Sequence, residues 1–144
     1  MTRLYISQAL RLLVTEDSGH RCGYGRCSEI LTSTALVIDH IVPVAAGGAT
    51  VRQNLWRSCV HCNQYKATSM EAVDPATGAI APLFNPRTQR WHEHFRWIDH
   101  GCIVEGLTPT GRATAAALRV NRDLAVSARR MWVDAGWHPP ADGA

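Results

Sequence analysis

Four of the five cysteines fall into two close pairs, and no other feature of this 144-residue chain restricts its fold as strongly. Cys22 and Cys27 have four residues between them, Cys59 and Cys62 have two, and Cys102 stands apart. A tetrahedral zinc site takes two thiolates from each of two tight turns, and this is the spacing it needs. Gly23 and Gly25 let the first pair turn sharply. Disulfides are the alternative, and they require an oxidising compartment. The N-terminal run "ALRLLV" is too short for a membrane span, is interrupted by Arg11, and is followed by no small-residue cleavage site. No signal peptide or transmembrane helix is therefore expected, a soluble cytoplasmic protein is the default, and zinc is preferred over disulfides. Four thiolates on one zinc would bring the formal charge of +3 down to about +1. Cys102 reads as a small buried hydrophobe.

The length suits one compact domain spanning residues 1–144, and 46% hydrophobic residues suit an ordinary core. Of the 15 basic residues only Lys66 is a lysine. Arginine presents a fixed fork of donors that matches phosphate oxygens, although a GC-rich genome raises arginine usage as well. From Arg87 to Arg130 there are eight arginines against Glu93, Asp99, Glu105 and Asp123, a local net of 8 − 4 = +4. That asymmetry tilts toward a phosphate-facing surface.

Apolar residues at helical intervals predict an opening amphipathic helix over Leu4 to Val14. "TALVIDHIVP" reads as a strand ended by Pro43, "AAGGAT" as a loop turning at Gly47 and Gly48, and "NLWRS" as a short second strand. A helix is expected from His61 to Val73, stopped by the turn "DPATG". Beyond it, "LFNPRTQRWHEHF" predicts a short helix and "FRWIDHGCIVEG" a hairpin with Asp99 to Gly101 at its tip. A last helix begins near Asn121 as its cap and places Leu124, Ala128, Met131, Trp132 and Ala135 on one packed side. The fold class is α+β, with a core over about 20–73 and a C-terminal extension over about 80–140.

The chemistry concentrates in three strings: "CGYGRC", "VIDHIVPVAAGGATVRQNL" and "CVHCNQYK". Hydrolysis of a phosphodiester needs a base for water, a cation for the developing charge, and help for the leaving oxygen. His40 is the natural base, because imidazole accepts a proton near neutral pH. The Asp-His pair at a strand end, the Gly-Gly loop, the Asn-Leu pair and Cys-x-x-Cys-Asn-x-x-Lys together resemble the HNH endonuclease family, in its four-cysteine subclass. The resemblance covers the middle third of the chain, and "FNPR" through "GRAT" resembles the extension of some standalone members.

The resemblance implies a small ββα-metal (His-Me finger) core on a four-cysteine zinc knuckle, with an N-terminal helix and an α/β-hairpin C-terminal extension. It implies that His40 is the general base, that Asn54 orients the loop, and that Asp39 with Asn63 holds one divalent cation. It further implies DNA as substrate, held by non-specific backbone contacts, and products with 5′-phosphate and 3′-hydroxyl ends. The family most often has histidine where this chain has Asn63. An amide oxygen suits Mg²⁺ or Mn²⁺ better than softer metals. Asn54 also has a plainer reading as an Asx-turn residue. Lys66, one turn from Asn63, reads either as a phosphate contact or as a solvated helix residue. His61 has no vacancy to fill beside four cysteines, His92 and His94 read as packing or surface residues, and the tryptophans read as core. Two other readings are an inert zinc-knuckle module that only binds nucleic acid, and a zinc-stapled structural protein.

Overall fold

The computed structural model describes residues 5–141. The opening helix, α1 (Gln8–Asp17), starts later than its periodicity predicts because Ser7 caps it, its hydroxyl accepting from the Leu10 N–H at 3.2 Å. Leu4, the first residue of the predicted helix, lies outside the described residues. A knuckle follows, closed by a bridge between Arg21 and Ser28 and by the Cys22 N–H donating to the Cys27 carbonyl at 3.0 Å. A single turn, α2 (Glu29–Thr32), leads to β1 (Val37–His40). That strand pairs antiparallel with β2 (Leu55–Ser58), setting His40 against Leu55 and Asp39 against Trp56. Helix α3 (Val60–Lys66) comes next, so strand, strand and helix occur in the order the sequence predicts.

The helix expected from His61 to Val73 ends at Lys66, with Ala67 at φ 48°, ψ −123° breaking it. Glu71–Val73 is instead a strand, β3, paired with β4 (Ile80–Pro82). The turn between them is organised by Asp74, whose carboxylate accepts from the Ala76 N–H at 2.9 Å and the Thr77 hydroxyl at 3.2 Å. A hairpin turn of this kind captures the residues before it as a strand, which outweighs their helical propensity.

The short helix α4 (Trp91–His94) runs into β5 (Phe95–Ile98), which pairs with β6 (Ile103–Gly106) as the predicted hairpin, with Asp99–Gly101 at its tip. Helix α5 (Pro109–Ala117) went unpredicted, although its start is legible: the Thr108 hydroxyl accepts from the Gly111 N–H at 3.0 Å and Pro109 opens the first turn. It packs tightly on β6, because a Cβ at Gly106 would lie 2.4 Å from the Arg112 backbone nitrogen and one at Gly111 would lie 2.0 Å from the His94 carbonyl oxygen.

Helix α6 (Asp123–Asp134) forms as expected, but Asn121 does not cap it. The Asn121 carboxamide bridges β6 instead, accepting from the Val104 N–H and donating to the Val104 carbonyl, both at 2.8 Å. The face predicted to pack is partly turned outward, with Leu124 82% and Met131 74% exposed. The buried residue of this helix is Arg129. The core gathers Tyr24, Leu36, Phe84, Trp91, Phe95, Val104, Leu118 and Val120, with Cys102 buried as expected. Of the tryptophans Trp91 is in the core, whereas Trp137 is 63% exposed.

Two acids tie the extension to the rest. Asp17 receives Arg52 at 2.7 Å and Arg87 at 2.8 Å, and fully buried Asp74 receives the Arg112 fork at 2.9 Å through both nitrogens. The Arg112 guanidinium holds the Asp74 carboxyl at about 2, below the ordinary 3.8. A depressed folded value means that the carboxylate stabilises the fold above its unfolded pKa and ceases to do so as pH falls toward 2. Asp74→Asn should therefore lower the melting temperature at neutral pH. The gap between parent and variant should close between about pH 4 and pH 2 in melts across that range.

Candidate catalytic strand end and cysteine cluster

The loop from β1 to β2 is pinned by one side chain. Asn54 accepts from the Val42 N–H at 2.8 Å and donates to the carbonyls of Val42 at 3.0 Å and Ala49 at 2.9 Å. Its backbone carbonyl takes the Ile41 N–H at 2.9 Å. This closes the loop on itself immediately after His40. Gly48 is required here, since a Cβ would come within 1.8 Å of the Val42 carbonyl oxygen. His40 ends β1 half-buried, with Nε2 2.9 Å from the Thr50 hydroxyl on the same loop.

Asp39 is 4% exposed, and its carboxylate is already engaged. The Tyr24 hydroxyl donates to Oδ2 at 2.9 Å and the Lys66 ammonium lies 3.3 Å from both oxygens. Lys66 also donates to the carbonyls of His40 at 3.1 Å and Ile41 at 3.4 Å. Lys66 is not solvated: it is 2% exposed and turned inward, where a buried carboxylate without a cation would be far costlier than a pair. Burial pushes the Asp39 carboxyl above its ordinary value, opposed first by the Lys66 charge. Burial and the Asp39 charge push the Tyr24 hydroxyl well up.

Asn63 sits half-buried one turn before Lys66, and its carboxamide makes no hydrogen bond among the described residues. The structure thus unites Asp39, Lys66 and the backbone of His40, and it unites Asn54 with the loop beside them. Tyr24 and Thr50 escaped the sequence reading. The only trace of Tyr24 was its position between the two knuckle glycines, and Thr50 left none.

The two cysteine pairs do converge. The sulfurs of Cys22, Cys59 and Cys62 lie within 4.8 Å of one another, while Cys27, the fourth expected ligand, is not in that group and is tied to Cys22 through the backbone, its carbonyl accepting from the Cys22 N–H at 3.0 Å. All five cysteines are free thiols. Burial works against ionisation of Cys22, but hydrogen bonds from the other three cysteines outweigh it and draw its pKa well below the ordinary value. Their hydrogen bonds to this first thiolate push Cys27 and Cys62 up. Thiols packed so closely lose their remaining protons together only if a cation enters, so the cluster is chemically suited to a metal ion.

Beside the strand end, the pinned loop and the cysteines stands one comparison with known families, and it covers the middle of the chain. Residues 24–74 match the family model described as HNH endonuclease. The matched HNH segment contains β1, the loop, β2, α3 and three of the four paired cysteines; Cys22 precedes it, and the extension from β4 onward lies outside it. No curated protein and no solved structure matches the chain. No helix among the described residues is long and apolar enough to cross a membrane.

The buried pair yields a stability test. Lys66→Met leaves Asp39 charged and unpaired and should cost about 3 kcal/mol or more, whereas a solvated lysine would cost under about 0.5 kcal/mol. Adding Asp39→Asn should recover part of that loss. Denaturant unfolding of parent, both singles and the double variant gives the coupling.

Proposed function

We propose that the protein is a metal-dependent endonuclease that hydrolyses phosphodiester bonds of DNA. The observation that carries this reading is His40, fixed at the end of β1 beside a loop clamped by Asn54, within a segment that matches an endonuclease family. In the tautomer whose Nε2–H donates to the Thr50 hydroxyl, Nδ1 is left to accept the proton of an attacking water. Asn54 acts as the positioning residue, because every bond it makes fixes the loop around that imidazole.

A divalent cation, Mg²⁺ or Mn²⁺, would supply charge stabilisation for the phosphate. Asp39 and Asn63 are the residues proposed to hold it. As folded here, Asp39 fits that task poorly, because a cation at its carboxylate meets the Lys66 ammonium already 3.3 Å away. A cation at Asp39 and Asn63 would therefore be held weakly, and activity would depend on added metal.

The four paired cysteines are proposed to hold one zinc as a structural element of the four-cysteine subclass. A site with four protein ligands has no open position for water and does no chemistry. Elemental analysis of purified protein should find one zinc per chain, and stripping it should lower the melting temperature by more than about 10 °C, on the order expected when binding and folding are coupled.

The engaged state of Asp39 favours one competing reading, an inert module that binds nucleic acid without cutting it. Supercoiled plasmid separates the two. With added Mg²⁺ or Mn²⁺ the parent should nick it, and His40→Ala should slow nicking by about two to four orders of magnitude while DNA binding persists. Equal rates for parent and variant, or no metal-dependent nicking at all, would favour the inert module.

A further inference from the structure

Arg129 is buried on α6 at 5% exposure and has no ion pair with a carboxylate among the described residues. Its guanidinium donates only to neutral oxygens: the carbonyls of Cys102 at 3.2 Å and Val120 at 2.6 Å, and the Asn121 carboxamide at 3.3 Å. The ring of Trp97 lies 5.5 Å from it. A buried charge of this kind is costly unless an opposite charge is near.

The cysteine cluster is near. A Cβ built on Gly25 would lie 3.8 Å from the Cys62 sulfur and 3.9 Å from Arg129 Nη2, so one small gap separates them. Arg129 and the cysteines Cys27, Cys59 and Cys62 also line a shared cavity of about 810 Å³. Arg26, which immediately precedes Cys27 in the chain, is half-buried, its guanidinium 5.6 Å from the Trp91 ring.

We propose that Arg129 and Arg26 are the counter-charges of the metal-loaded cysteine site, so that metal binding in the knuckle locks the C-terminal helix onto the HNH segment. This rests on the reading that the four cysteines bind zinc as thiolates. A divalent ion with four thiolates carries two negative charges, and the two guanidinium groups carry two positive ones. Arg129 is the only buried residue of α6, so the helix is anchored through this charge more than through its outward apolar face.

The test uses full-length protein, with Zn²⁺ affinity measured by competition against a chromophoric chelator and Co²⁺ absorption reporting thiolate ligation. Arg129→Met should weaken Zn²⁺ binding by about tenfold or more, and Arg129→Lys, which keeps the charge, should stay within about threefold of the parent. Hydrogen exchange in residues 123–134 should rise on zinc removal in the parent. Unchanged affinity in Arg129→Met, or equal weakening by Met and Lys, would overturn the proposal, because charge would then not be what matters. If Arg129→Met does not fold, Arg26→Met decides: a loss of affinity supports the proposal and parental affinity overturns it. A parent without a Co²⁺–thiolate band would refute the zinc reading itself, and this inference with it. A parent that binds the metal while the variants are unaffected refutes this inference alone.

Discussion

The buried Lys66 ammonium fixes the geometry on which the rest of residues 24–74 depends. It is reached by Asp39 from β1, by the carbonyls of His40 and Ile41 where that strand ends, and, through Asp39, by Tyr24 from the knuckle. Three separate stretches of chain therefore meet at one charge in a poorly solvated place. Such a pair adds little net stability over an apolar replacement, but it tolerates few alternative arrangements, because each one strands a charge. The strand end that presents His40 is thereby held in a single position.

The same short helix connects this charge to the cysteine cluster. Cys59 caps α3, its sulfur accepting from the Cys62 N–H at 3.3 Å, while Lys66 occupies the last turn. Tyr24 provides a second connection, lying two residues after Cys22, with its carbonyl taken by the Trp91 indole at 2.8 Å. Order at the cysteines and order at the strand end are mechanically the same order. Trp91 carries it onward into the hairpin extension, which is why an extension outside the matched segment still bears on the site.

What the sequence could reveal followed from how local each signal is. The β-branched run of β1, the cysteine spacing and the turn residues at Asp99 to Gly101 act over a few neighbours, and each formed where expected. Asp39, His40, Asn54 and Asn63 stand out as a set through the resemblance to a family pattern along the chain. The direction of Lys66 was not identifiable: a lysine on a helix reads as solvated unless its partner 27 residues earlier is known to be buried. Residues 71–73 became a strand through pairing with 80–82, and α6 turned Arg129 inward onto the carbonyls of Cys102 and Val120 and the Asn121 carboxamide. Both are tertiary decisions that periodicity does not record.

The arginines show the same limit and change where a DNA contact should be sought. The excess between Arg87 and Arg130 reads as a phosphate-facing surface, yet much of it faces the protein. Arg87 binds Asp17 and the carbonyls of Arg52 and Leu55, Arg112 is forked onto Asp74, and Arg129 is buried. Arg96 and Arg130 pair with Glu105 and Asp99 at the surface. Arg90 and Arg119 remain exposed, the latter stacked 4.9 Å from the ring of Tyr65 on α3. Formal charge in a stretch of sequence thus overstates what is available to a phosphate, since a guanidinium turned inward onto buried carbonyls and carboxylates does not face a ligand at the surface. Under the proposed nuclease reading, backbone affinity would come from fewer arginines than the composition implies, and its salt dependence should be correspondingly shallow, because each phosphate contact contributes about one unit to the slope.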